Sequence, residues 1–358
     1  MERFECKTKI FSGPDGLQIL PTLHIKRLLI VADPFFCQNG TVNHIAHLSG
    51  AAAVEVFDNV TPDPSVSLVA AGTHLVQSFA PDALLALGGG SALDCGKAMA
   101  YFSGLRPLLI AVPTTSGSGS EVTDFAILTH DGVKHPLIDP ALQPDVAILD
   151  ESLLSSLPGK LIAETGFDLI SHAVESWVAT GAGTISRCLA THALQTALSH
   201  LHSSFSGDKT HRLAIHQAAT MAGMAFRSAG LGICHSISHA LGGTFHIPHG
   251  QLNAILLPAV MEANAAAHGE VYCRLAQALG FGNSSMGLRN LKNALLRLRR
   301  QLKLPENLAQ AGIPAGQLQQ QLPDIVAAAL ADSCSKTNPV AVDEDLVRRV
   351  LQAVAGHG

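Results

Sequence analysis

Through the first 150 residues, short apolar runs alternate with stretches of helical spacing. Arg27 to Ala32 (RLLIVA) ends at Asp33-Pro34, Ala83 to Leu87 (ALLAL) at Gly88-Gly89-Gly90, and Pro107 to Val112 (PLLIAV) at Pro113-Thr114-Thr115. Runs this short, without polar alternation, predict strands covered on both faces. Between them, Pro64 to Phe79 carries Val66, Val69, Ala70 and Val76 at roughly helical spacing. The alternation predicts a parallel sheet with crossover helices.

After about Asp150 the strand signals stop. Ala- and Leu-rich stretches predict helices at Lys160 to Ala179, Arg187 to His202, Arg212 to Arg227, Leu252 to Ala267, Val271 to Leu279 and Leu288 to Leu302. The expected organisation is an α/β domain over 1–151 and an all-helical domain over 152–358, with the boundary in Glu151 to Gly159.

Composition narrows the function. Of 358 residues 47% are hydrophobic and 14% charged, enough apolar material for a sizeable core and too much for a disordered chain. So low a charge points to large buried surfaces and an oligomer. A net charge of -5 argues against nucleic acid as partner, and Arg297-Leu298-Arg299-Arg300 reads as a solvated helix face. Seven widely spaced cysteines with no C-x-x-C predict reduced, mostly buried thiols in a cytoplasmic protein. No apolar run reaches the roughly 18 residues a membrane span needs, and Met1-Glu2-Arg3-Phe4-Glu5 lacks a signal peptide's apolar stretch.

Two segments carry candidate phosphate chemistry. Gly88-Gly89-Gly90-Ser91 follows a strand and opens a helix bearing Asp94 and Lys97. Glycines there let backbone N–H groups approach a pyrophosphate, although a purely structural turn would look the same and the G-x-G-x-x-G fingerprint is absent. Pro113-Thr114-Thr115-Ser116-Gly117-Ser118-Gly119-Ser120-Glu121 follows another strand and is dense in donors. Strand carboxyl ends are where ligands bind in open α/β sheets. Asp33, ending the first strand, suits a ribose diol and would repel a 2'-phosphate, favouring NAD; it equally suits an Asp-Pro turn.

Histidine is the outlier, with ten of 18 between His172 and His249. Asp168 and His172 lie i, i+4 on one helical face and can share a divalent ion. His235, His239, His246 and His249 follow within 15 residues of otherwise apolar sequence. Buried imidazoles need a hydrogen-bond partner or a metal, and the missing glutamate of H-E-x-x-H argues against a metalloprotease.

With these motifs in order, and with Ala222-Gly223-Met224-Ala225-Phe226 and Thr337-Asn338-Pro339, the chain resembles the iron-containing (group III) alcohol dehydrogenase family over nearly its whole length. Within it, it is most similar to the propanol dehydrogenases of propanediol and ethanolamine degradation. The resemblance implies the dehydroquinate synthase-like architecture of an α/β dinucleotide-binding domain followed by an all-α domain. It implies metal ligation by Asp168, His172, His235 and His249, with His239 as the catalytic residue that moves the alcohol proton. Cofactor contacts would come from Asp33, Gly89, Gly90, Ser91, Asp94, Thr114, Thr115, Ser118 and Lys134. The implied reaction is interconversion of a short primary alcohol and its aldehyde with NAD(H), in a cytoplasmic homodimer associated with a bacterial microcompartment.

These ligand types also accept Zn(II), Co(II) or Mn(II), so iron comes from the family and not from the donors. Two alternatives differ in class: a dehydroquinate-synthase-like lyase using NAD and a metal, and a non-enzymatic histidine-rich metal-binding protein.

Overall fold

The structure is a computed structural model describing residues 3–130 and 133–356; Met1-Glu2 of the N-terminal reading lies outside them. The chain forms two compact units. The α/β unit takes in Glu5–Leu157 and Arg212–Gly223, and the helical unit takes in Pro158–His211 and the chain from Met224 onward.

In the α/β unit, strands β1 (Lys9–Gly13), β2 (Arg27–Ala32), β3 (Ala53–Phe57), β4 (Ala83–Gly88) and β5 (Leu108–Pro113) are joined by helices α1 (Pro34–Gln38), α2 (Thr41–Ser49), α3 (Val66–Phe79) and α4 (Gly90–Ser103). A hairpin of β6 (Phe125–His130) and β7 (Val133–Ile138) precedes β8 (Val146–Asp150). The six-stranded sheet runs β1-β8-β5-β4-β2-β3, with every pairing parallel.

The three apolar runs of the sequence are β2, β4 and β5, in the middle of this sheet. Leu29, Val31, Leu84, Ala86 and Ala111 face one core with Val69, Val76 and Met99. Their neighbours Leu28, Ile30, Leu85, Leu87 and Ile110 face the other with Leu17, Leu20 and Ile45. Burial on both faces is why these strands show no polar alternation. Chain order reverses at β2, which pairs with β3 on one side and β4 on the other. Asp33 follows β2 and Gly88 ends β4, both at the sheet's carboxyl edge, where such sheets bind ligands.

The helical unit holds α5 (Gly159–Val178), α6 (Thr184–Phe205), the later turns of α7 (Arg212–Ala229), α8 (Ile233–Phe245), α9 (His249–Ala278), α10 (Ser285–Gln301), α11 (Ala315–Ala331) and α12 (Glu344–Val354). Helix α5 packs on α6 and α9, and α8 on α9 and α11. The break expected after Ala267 is a kink at His268, whose φ of -138° and ψ of 53° interrupt α9. The first turns of α7 join the α/β unit because they pack on the loop after β5, so that unit reaches well past the boundary expected near residue 151.

Two expectations are corrected. All seven cysteines are free, but only Cys95 and Cys234 are buried. Arg299 turns inward from α10 and donates to the Ala254 carbonyl at 3.2 Å, so that basic run is not wholly solvated.

Candidate metal centre and cofactor loops

Helix α5 presents Asp168 and His172 one turn apart. Helix α8 presents His235 and His239 and ends at His246, whose φ of +55° turns the chain. Pro248 then caps α9 and makes His249 its first residue. Gly250 has no room for a side chain, because a Cβ there would collide with the Glu164 carbonyl of α5. That close approach brings His249 to the Asp168 face.

The four side chains converge. Asp168 Oδ1 lies 3.7 Å from His172 Nε2, 3.8 Å from His235 Nε2 and 3.5 Å from His249 Nε2. These separations are long for hydrogen bonds, but ligands arranged tetrahedrally with bonds of about 2.1 Å stand about 3.4 Å apart. Ligand atoms of Asp168, His235 and His249 all fall within 4.8 Å of one another. His172 joins through its approach to Asp168 and stacks on Phe226 at 4.4 Å and on His235 at 4.5 Å. His235 Nε2 is buried without a hydrogen-bond partner. A divalent cation satisfies that orphaned atom, and the donor set fits one.

The electrostatics agree. Burial alone would raise the Asp168 pKa, but the imidazoles, His172 foremost, hold it well below the usual carboxylate range. Burial works against a charged His235 too, yet Asp168 and Glu175 lift it to about 9. Burial drives His249 well below its ordinary value, and the other imidazoles reinforce this against Asp168. The site attracts positive charge but does not tolerate a proton on every ring.

Three supporting residues were not singled out in the sequence. Glu175 Oε2 lies 2.5 Å from His235 Nδ1, while Oε1 accepts from the Cys234 N–H at 2.7 Å. Asn253 donates to Asp168 Oδ1 at 3.0 Å and accepts from Ser238 Oγ at 2.5 Å. Asp332 Oδ2 lies 2.8 Å from His239 Nδ1. Asn338, of the Thr337-Asn338-Pro339 motif, accepts from the Ile233 N–H at the start of α8. His239 stacks on His249 at 5.1 Å and remains a quarter exposed. His246 is exposed and outside the cluster.

In the α/β unit, Gly88 has a φ of +149°, a conformation side chains rarely adopt, and its carbonyl accepts from the Thr114 N–H at 2.9 Å. The glycine turn and the threonine loop are thereby tied edge to edge. A Cβ on Gly89 would stand 3.4 Å from Thr115 Oγ1, and one on Gly90 would stand 3.3 Å from Ser118 Oγ. A close-fitting backbone cradle at the start of the 14-residue helix α4 is what a dinucleotide pyrophosphate requires. Ser91 Oγ accepts from the Asp63 N–H, and Asp63 pairs with Lys134 at 2.6 Å, so Lys134 is held near the turn. Asp33 caps α1 by accepting from the Phe35 N–H at 2.8 Å, fulfilling its turn role with one oxygen.

Asp94 differs from its expected role as a cofactor contact. Its carboxylate faces inward, accepting from Ser120 Oγ at 2.6 Å and the Ile127 N–H at 2.9 Å, with Lys97 Nζ 3.9 Å away. Helix position explains this: Asp94 and Lys97 lie one turn apart, on the side of α4 against the threonine loop. Lys97 is buried and donates to the Ser120 carbonyl and hydroxyl, each at 3.0 Å. Burial pushes its ammonium down to about 8 despite the nearby carboxylates.

Known proteins match this chain along its length. The family model "Iron-containing alcohol dehydrogenase" matches residues 7–151, and "Fe-containing alcohol dehydrogenase family, C-terminal" matches 162–355. The 1-propanol dehydrogenase PduQ of Citrobacter freundii is 38% identical, over 98% of this chain and 99% of its own. The iron-containing alcohol dehydrogenase of Thermococcus thioreducens superposes with a TM-score of 0.93 at 31% identity, covering 99% of this chain and 100% of that one. Sulfoacetaldehyde reductase of Bifidobacterium kashiwanohense, solved in complex with NAD+, superposes at 0.90 with 25% identity over the full length of both. Motifs, fold and full-length matches agree: the chain belongs to the iron-containing alcohol dehydrogenase family, oxidoreductases that interconvert alcohols and aldehydes.

Proposed function

We propose that this chain interconverts a short-chain primary alcohol and its aldehyde, with Asp168, His172, His235 and His249 holding one Fe(II) and His239 moving the alcohol proton. The observation that carries this reading is the set of three imidazole Nε2 atoms around a single Asp168 oxygen. Bound there, iron would supply Lewis acidity toward the substrate oxygen while NAD would supply the hydride acceptor.

The protein's part is orientation and proton handling. Glu175 holds His235 Nδ1 and so directs Nε2 into the cluster, a carboxylate–histidine arrangement common behind metal ligands. Asn253 donates to the same Asp168 Oδ1 and helps fix its orientation. Asp332 engages His239 Nδ1, leaving Nε2 to accept or return the substrate proton. Gly89, Gly90, Ser91, Thr114, Thr115 and Ser118 form the cradle for the dinucleotide, with Asp33 at the adenosine ribose and Lys134 beside the phosphates. Asp94 braces the loop from within.

The reading extends to a cytoplasmic homodimer, and likeness to the 1-propanol dehydrogenases PduQ favours work in a bacterial microcompartment. Light scattering tests the dimer, and co-purification with shell proteins tests the compartment. Among the described residues no helix is long and apolar enough to cross a membrane. The activity is tested by anaerobic loading with Fe(II) or Zn(II), then following NADH consumption with aldehydes from acetaldehyde to butyraldehyde. Turnover with iron and a short aldehyde is expected; flat traces with every aldehyde would overturn the reading.

A further inference from the structure

We propose that His216 and Thr220, one turn apart on α7, are positioning residues that lock the Pro113–Glu121 loop in its dinucleotide-binding form. The proposal rests on the dehydrogenase reading above. It assigns a task to a helix that carries neither a metal ligand nor a cofactor contact in that reading.

His216 is 1% exposed, and its Nδ1 lies 3.0 Å from Ser116 Oγ. Thr220 Oγ1 donates to Glu121 Oε1 at 2.6 Å, and both residues are buried. Between these ties the loop backbone meets the helix directly: a Cβ on Gly119 would stand 2.6 Å from Gly223 Cα. Gly119 also holds a φ of +65°, so glycine is required there twice over. Positions 216, 220 and 223 follow the i, i+4, i+7 spacing of a single helix face.

A buried hydroxyl–imidazole pair is directional, and removing one partner leaves the other without water to replace it. His216 Nε2 is buried without a hydrogen-bond partner of good geometry among the described residues, and the Pro113 carbonyl at the start of the same loop also faces the ring, so the ring's polar contacts beside the Nδ1 tie are again with the loop. On the loop's other flank, α4 grips Ser120 through Lys97 and Asp94. Held from both sides, the loop presents Thr114, Thr115 and Ser118 to the glycine turn. Neither grip uses these side chains to hold α7. A loop fixed before the ligand arrives does not have to be ordered on binding, and the gain appears as cofactor affinity.

The test is NADH binding to the metal-loaded, full-length protein by fluorescence titration, with metal content and thermal midpoint measured alongside. His216→Ala should bind NADH about tenfold more weakly with metal content unchanged. His216→Asn places an amide where Nδ1 stands and should remain within about twofold of wild type. His216→Gln reaches toward the Nε2 position instead and should behave like His216→Ala. Ser116→Ala should reproduce the loss from the loop side, and the double variant should be no weaker than either single one. If His216→Ala does not fold, Ser116→Ala against wild type carries the comparison. Unchanged NADH affinity in Ser116→Ala, equal behaviour of the Asn and Gln variants, or additive losses would each overturn the clamp. A wild-type protein that binds no NADH would overturn the dehydrogenase reading and the clamp together.

Discussion

Glu175 Oε2 stands 2.5 Å from His235 Nδ1, and the same carboxylate accepts from the backbone N–H groups of Cys234 and His235 at the start of α8. One buried side chain therefore sets both the entry of the helix and the direction of an imidazole it carries. Glu175→Gln retains the shape but weakens the charge-assisted hold, so metal affinity should fall about 10- to 100-fold. Turnover per bound metal should stay near wild type. Chelator competition measures the first and activity at saturating metal the second; unchanged affinity would remove Glu175 from the metal site.

His239 should separate from the ligands experimentally. His239→Ala should retain metal while kcat drops by about 10²- to 10⁴-fold, the usual contribution of a positioned acid–base group. Asp332→Asn should lower kcat less, because the imidazole stays in place with a weaker hold on Nδ1. Metal analysis and steady-state kinetics on the same preparations decide the matter. Metal loss from His239→Ala would make it a ligand.

Much of the fold could be read from local pattern, and the exceptions have physical causes. β2, β4 and β5 stood out because both faces of each are covered. β1 and β3 form the sheet's edges, with half-exposed patterns that carry no continuous apolar run. The proposed ligands Asp168 and His172 stood out because they share a helix face, as does the proposed ligand His235 with the proposed proton-transfer residue His239. Glu175 was equally available, completing an i, i+4, i+7 series with Asp168 and His172, as Asn253 lies one turn after His249. Asp332 was not, since only tertiary packing brings it to His239 from 93 residues away. His216 gave no local signal beyond helix packing, and its partner Ser116 is 100 residues distant.

Asp33 tests the cofactor assignment without endangering the fold. Asp33→Asn keeps a side-chain oxygen to cap α1 but removes the charge that would repel a 2'-phosphate. The NADPH/NADH ratio of kcat/KM should rise in this variant, and in Asp33→Gly, where losing the cap costs only a few tenths of a kcal/mol, roughly. An unchanged ratio in both would remove Asp33 from the ribose site.

Acid sensitivity should report His216. Burial pushes its pKa down to about 4, outweighing the Pro113 carbonyl and Asp150, against about 6.5 in an unfolded chain. Below about 6.5 the unfolded chain takes up a proton that the folded ring refuses until about 4. The contribution is thus complete above that range and lost as pH falls through it. Urea midpoints at about pH 7 and about pH 4.5 should differ less for His216→Asn than for wild type. An equal difference would place the titration elsewhere.

The most direct test of the account is iron stoichiometry measured together with NADH-dependent aldehyde reduction, on anaerobically loaded wild type and His249→Ala. The account predicts one iron per chain with turnover in wild type, and loss of both in the variant. Full iron occupancy in His249→Ala, or turnover by iron-free wild type, would contradict it.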